Sequence, residues 1–153
     1  MNPKKQTPDI ESICCNSSDA ETFWRASIKS LPGFDAKDES VFVIVLDSER
    51  RFTGCHEIKS KVFRSPVLFA DEVATLKVLD GIEEFIVLHN RPGLSPKPGP
   101  HDTARAREIA LAAQRKNISL LDYIIIGSAD DRFPRGSFSA HKRLARWIGE
   151  KKS

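Results

Sequence analysis

The chain has 153 residues, 40% of them apolar and 29% charged, with a net charge of +3, which suits one domain with a sizeable core. Its 24 basic residues are interleaved with 21 acidic ones, so nucleic acid is permitted as a partner without being indicated. No apolar stretch approaches the roughly 20 residues that span a bilayer, the N-terminus lacks the apolar core of a signal peptide, and three cysteines without a C-x-x-C pair make neither a disulfide framework nor a cysteine zinc site. These features point to a cytoplasmic protein.

Residues 1–17 mix Pro, Lys, Asp and Ser with few apolar groups and read as a flexible tail, with one domain over 18–153. Ser18 and Glu21 form an S-x-x-E capping box, and Trp24, Ile28 and Leu31 follow at helical spacing until Pro32-Gly33 stops the helix. The run 41–46, Val-Phe-Val-Ile-Val-Leu, is apolar on both faces and predicts a central strand. A turn over 47–51 returns the chain as a second strand from Phe52 to about Phe63, carrying Cys55, His56 and Glu57. Pro66, after Ser65 as cap, opens a helix with Phe69, Val73 and Leu76 on its buried side, ended by Gly81.

Residues 82–89 predict a buried strand that runs into a Pro-rich loop. A third helix is expected from Asp102 to about Lys116, burying Ala106, Ile109, Ala110 and Ala113, exposing Arg105, Arg107, Glu108 and Arg115, and ending on Asn117 as a left-handed cap. Residues 118–126 read as another core strand, 133–138 as an irregular edge strand or turn, and 140–151 as a basic helix with Leu144, Trp147 and Ile148 inward. The order of elements predicts a three-layer α/β/α arrangement around a mixed sheet. His89 then sits at the carboxyl end of a core strand and Asp102 at the start of the next helix, where ligands collect in open α/β sheets. That pair could hold a metal or an anion.

Glu57, the segment Leu88-His89-Asn90, Pro92-Gly93, Asp102 opening a helix, and Leu120-Leu121-Asp122-Tyr123-Ile124-Ile125-Ile126-Gly127 together resemble the RadC-like branch of the JAB/MPN fold, which is cytidine-deaminase-like in architecture. The resemblance runs from about Ser18 to Gly127. In that branch the loop reads H-N-H-P-S-G followed by P-S-x-x-D, and the later strand L-L-D-H-I-I-I-G, so Tyr123 stands where His is usual. The resemblance implies a zinc site with two His and one Asp as ligands, a Glu as general acid/base and a Ser steadying the tetrahedral intermediate. Three protein ligands leave a position for water, whose pKa the cation lowers to about 7.

Carried over position by position, Glu57 is the general base, His89 the first ligand and Asp102 the carboxylate ligand, while Arg91 falls on the second His and Gly99 on the Ser. Arginine offers only donors and cannot ligate zinc. One reading is therefore a metallopeptidase-like domain with a degenerate site and a binding or scaffold role, Arg91 standing in for the cation against Glu57 or Asp102. A second is an active zinc-dependent peptidase or isopeptidase in which His101 replaces the lost ligand. A third is a DNA-associated protein, by analogy with the family's repair-related label. The helix-hairpin-helix region of many full-length relatives is missing, so the one domain is expected to act alone. A protein or peptide partner fits the first two readings, and the bland ones remain beside them: His89 as a hydrogen-bonded core-edge imidazole, Asp102 as an ordinary first-turn carboxylate, Glu57 as a charged strand residue.

Overall fold

The computed structural model describes residues 17–28, 38–92, 97–127, 137–139, 144 and 146. Five strands and three helices follow in the order α1 (Ser17–Ser27), β1 (Ser40–Leu46), β2 (Phe52–Ile58), α2 (Pro66–Ala74), β3 (Glu84–Asn90), α3 (Pro100–Gln114), β4 (Ser119–Ile126) and β5 (Ser137–Ser139). A short 3-10 turn, Lys77–Leu79, links α2 to β3. The expected tail over 1–16 and most of the expected last helix lie outside the described residues; Leu144 and Arg146 are helical, and Leu144 is buried in the core.

The sheet order is β2-β1-β3-β4-β5. Among the described strands the β3–β4 pair is parallel and the other pairs are antiparallel, so the predicted mixed sheet is present. β1 lies at its heart with every residue buried, as a strand apolar on both faces must. Alternation along β1 divides the core. Val41, Val43 and Val45 join Phe69, Val73, Ala106 and Ile109 under α2 and α3, while Phe42, Ile44 and Leu46 join Ala20 and Trp24 of α1 on the opposite face. These are the two outer layers of the expected three-layer fold.

Several element ends differ from the sequence reading. β2 stops at Ile58 rather than continuing to Phe63, because Ser60 turns the chain, donating its hydroxyl to Glu72 of α2 and accepting the Val62 N–H at 3.0 Å. α3 begins at Pro100, two residues before the expected start, since proline suits a first helical position. Asn117 takes the left-handed conformation, φ 60°, as expected of it. Arg105, expected to be exposed, is buried; it lies three residues from Asp102, on the same stripe of α3 as Ala106 and Ile109.

Candidate functional site

The site end of the sheet is set by chain direction. β3 ends there at His89-Asn90 and β4 ends beside it, held by the Arg91 N–H donating to the Ile126 carbonyl at 2.9 Å; antiparallel β1 begins there, with Ser40 opposite Asn90 and Val41 opposite His89. The first turn of α3 closes over this corner. Asp102 turns back on it, its Oδ2 accepting the Gly99 N–H at 2.8 Å. Because Gly99 has no side chain, this half of a capping box is all the helix start possesses.

Asp102 is the hub. Its Oδ1 accepts from Arg91 Nη2 in a very close contact and from Arg105 Nη2 at 2.8 Å. Arg105 also donates Nε–H to the Tyr123 hydroxyl at 3.2 Å and Nη1–H to the Phe63 carbonyl at 3.4 Å, and its guanidinium lies 3.9 Å from the centre of the Phe63 ring. The Phe63 ring also stands edge-on to His89, centroids 5.0 Å apart. Arg91 is tethered at its other branch by the Lys97 carbonyl, 3.3 Å from Nη1. Burial alone would push the Asp102 carboxyl up, but the Arg91 hydrogen bond, the Gly99 N–H and the two cations outweigh it and leave its pKa below the usual carboxylate value.

His89 is 1% exposed, and its Nε2 lies 2.7 Å from Glu39 Oε2, a side chain 56% exposed. Burial, helped by the Arg91 and Arg105 charges and opposed by Glu39, pushes the His89 pKa down, so near neutrality the ring is uncharged and donates from Nε2 to Glu39. Its Nδ1 then carries the lone pair. That atom is 3.9 Å from Asp102 Oδ1, too far for a hydrogen bond, and has no partner among the described residues.

Of the residues singled out from sequence, His89, Arg91, Gly99, His101 and Asp102 meet in one cleft of about 400 Å³, with Glu39, Phe63, Arg64, Lys97, Pro100 and Arg105 completing its wall. Glu57 is not among them. It pairs with Phe42, and Phe42 packs beneath α1, so Glu57 projects from the opposite face of the sheet and is exposed. The carboxylate brought to His89 is Glu39, which lies just before the apolar run 41–46 and matches no motif residue. Its signal was the period of two: Glu39 precedes Val41 by two residues and shares its face. Arg105, expected on the exposed face, and Tyr123, standing where the family resemblance has His, prove to be each other's hydrogen-bond partners.

Zinc does not fit these donors. Among the described residues no group of three or more His, Cys, Asp or Glu is placed to hold a metal ion; Asp102 already faces two guanidinium groups, and Arg91 has no lone pair to offer. Cys55, on β2, has its thiol pushed up to about 12 by burial and is no thiolate ligand near neutral pH. Among the described residues no helix is long and apolar enough to cross a membrane.

A family model of the RadC-like JAB domain matches residues 14–142. Similar proteins include a UPF0758 protein of Neisseria meningitidis serogroup C, 26% identical over 96 residues, which are 63% of this chain and 43% of that protein. A UPF0758 protein of Cyanothece sp. is 26% identical over 113 residues, 74% of this chain and 42% of its own length, and one of Trichodesmium erythraeum is 28% identical over 92 residues, 60% and 38%. The matched segment thus spans less than half of each of these relatives.

Proposed function

From the premise that the chain belongs to the RadC-like JAB domain family, we propose that it is a binding domain whose ancestral hydrolytic centre has been rebuilt on arginine. The observation that carries this reading is the Arg91–Asp102–Arg105 arrangement: two cations share the one carboxylate that zinc would need. A guanidinium held there satisfies the carboxylate without metal and supplies no open coordination position for water, so hydroxide generation has no counterpart. What the corner retains is a shaped, water-accessible cleft with fixed hydrogen-bonding groups, which suits recognition of a partner, for which we take a protein or peptide. Its expected place is the cytoplasm.

The competing reading is a zinc peptidase rescued by His101. One observation favours it, that His101 stands exposed on the wall of the same cleft. Metal content separates the two. Protein purified without chelator or metal-affinity tag is expected to hold no stoichiometric zinc, even after zinc is added back. About one zinc per chain, lost in both His89→Ala and His101→Ala, overturns the binding-domain reading.

A further inference from the structure

We propose that the cleft takes a carboxylate with a neighbouring amide N–H, the pairing found on the last residue of a peptide chain and on a free N-acyl amino acid; this rests on the binding-domain reading above. The first observation is charge. Among the described residues, Arg64, Arg91, Lys97 and Arg105 line the cleft against Glu39 and Asp102. A second hollow of about 550 Å³ shares Glu39, Phe63 and Arg64 with the first and adds Lys61 to the cationic side. Arg64 is exposed and pairs with no carboxylate among the described residues, and Arg91 has only two of its five N–H groups engaged in the bonds described, to Asp102 and the Lys97 carbonyl. Guanidinium forks of this kind match carboxylate oxygens in geometry as well as charge.

The second observation is the orphaned acceptor. His89 lines the cleft, is 1% exposed, and leaves Nδ1 without a hydrogen-bond partner among the described residues. A buried lone pair facing no donor costs free energy that a ligand N–H would recover. A chloride or sulfate ion would neutralise the arginines but has no hydrogen to donate to Nδ1, whereas a terminal residue carries the oxyanion and the donor together. The volume is that of small-molecule and peptide-end sites rather than of a lone ion. A duplex backbone is disfavoured, because Arg91 and Arg105 are largely buried and phosphate contacts need cations spread along an open face.

The test is the thermal midpoint of the full chain in low-salt buffer with four probes: a tetrapeptide mixture randomised at every position with free C-termini, the same mixture amidated, N-acetylglycine, and a short single-stranded oligonucleotide. A rise with the free-acid mixture that the amidated mixture reproduces only at about tenfold higher concentration, or not at all, supports the proposal. N-acetylglycine matching the peptides would assign the site to a free small acid, and failing to match them, to a chain terminus. Arg64→Gln, on an exposed side chain, should keep the unliganded midpoint and need about tenfold more ligand. Equal response to acid and amide, response to the oligonucleotide alone, or silence from every probe in metal-free protein overturns this inference and leaves the binding-domain reading standing. Zinc content, measured on the same protein, is what decides that reading.

Discussion

Asp102 balances two buried cations, and the consequences of removing each partner are unequal. Asp102→Asn leaves Arg91 and Arg105 facing a neutral amide, and breaking a buried pair in this way costs about 3–5 kcal/mol. Arg91→Met should cost less, about 1–3 kcal/mol, because Asp102 keeps Arg105 and the Gly99 N–H. Urea unfolding of both variants checks the order, and the reverse order would mean that Glu39 rather than Asp102 sets the charge balance. The pH profile follows from two depressed pKa values. His89, lowered chiefly by burial, takes up protons in the unfolded chain first, so its contribution to stability is whole above the unfolded value near 6.5 and is lost as pH falls below it. Asp102, lowered on balance, loses its contribution only below about pH 3.9, as pH falls toward and through its folded value. The thermal midpoint should therefore hold above about pH 6.5 and drop as pH falls below it in the parent chain. His89→Gln should flatten that upper step and leave the acid one, and a parallel drop in the variant would remove His89 as its cause.

At the scale of elements, what was legible in the sequence was whatever burial alone decides. The strand 41–46 shows as an unbroken apolar run because both its faces are covered, and α3 shows as a helix by its Ala106, Ile109, Ala110 and Ala113 stripe. His89, Asp102 and the pairing of Arg91 with Asp102 could be placed because strand end and helix start converge on one edge. Glu39 and Arg105 escaped, since Glu39 is an exposed carboxylate just before the apolar run and Arg105 a charged residue on a buried stripe, so that only the partner in space explains either choice, and Glu57 misled because a motif match is blind to which face a strand residue takes. The start of α3 offers a test at this scale. Gly99 has an ordinary extended φ of −101°, and a Cβ built there would meet only Asp102 Oδ2, at 3.8 Å. Gly99→Ser should therefore fit, add a capping hydroxyl and raise stability by a few tenths of a kcal/mol, and a loss of stability would show that the serine competes for Asp102. The same variant restores a Ser that the family resemblance expects without adding a metal ligand, so its zinc content should not change.

For the molecule as a whole, the two apolar clusters share one sheet, each strand of the β1–β3–β4 centre contributing alternate residues to both. Such a sheet cannot lose one cover and keep the other intact, so the domain should unfold as a unit. With Trp147 replaced by phenylalanine, Trp24 fluorescence reports the α1 face alone, where the indole stands edge-on to Phe42 with centroids 5.5 Å apart. Its urea transition should coincide with that of far-UV circular dichroism, and an earlier fluorescence change would identify α1 as a separately melting layer.

The β1–β2 turn has a practical use that follows from its position. Arg50, in the left-handed region at φ 63°, reaches across to grip Glu84 with Nε and Nη2 at 2.8 and 3.1 Å, which fastens the turn to the first residue of β3. Glu84 and His89 are five residues apart on that strand, so the tip stands about 17 Å of strand from the cleft, at the sheet's other pole. Ser48, at the crest between Asp47 and Glu49, is thus the natural attachment point for a fluorophore, a surface tether or a fused reporter, a handle by which the protein can be held while its opposite end is offered to ligands.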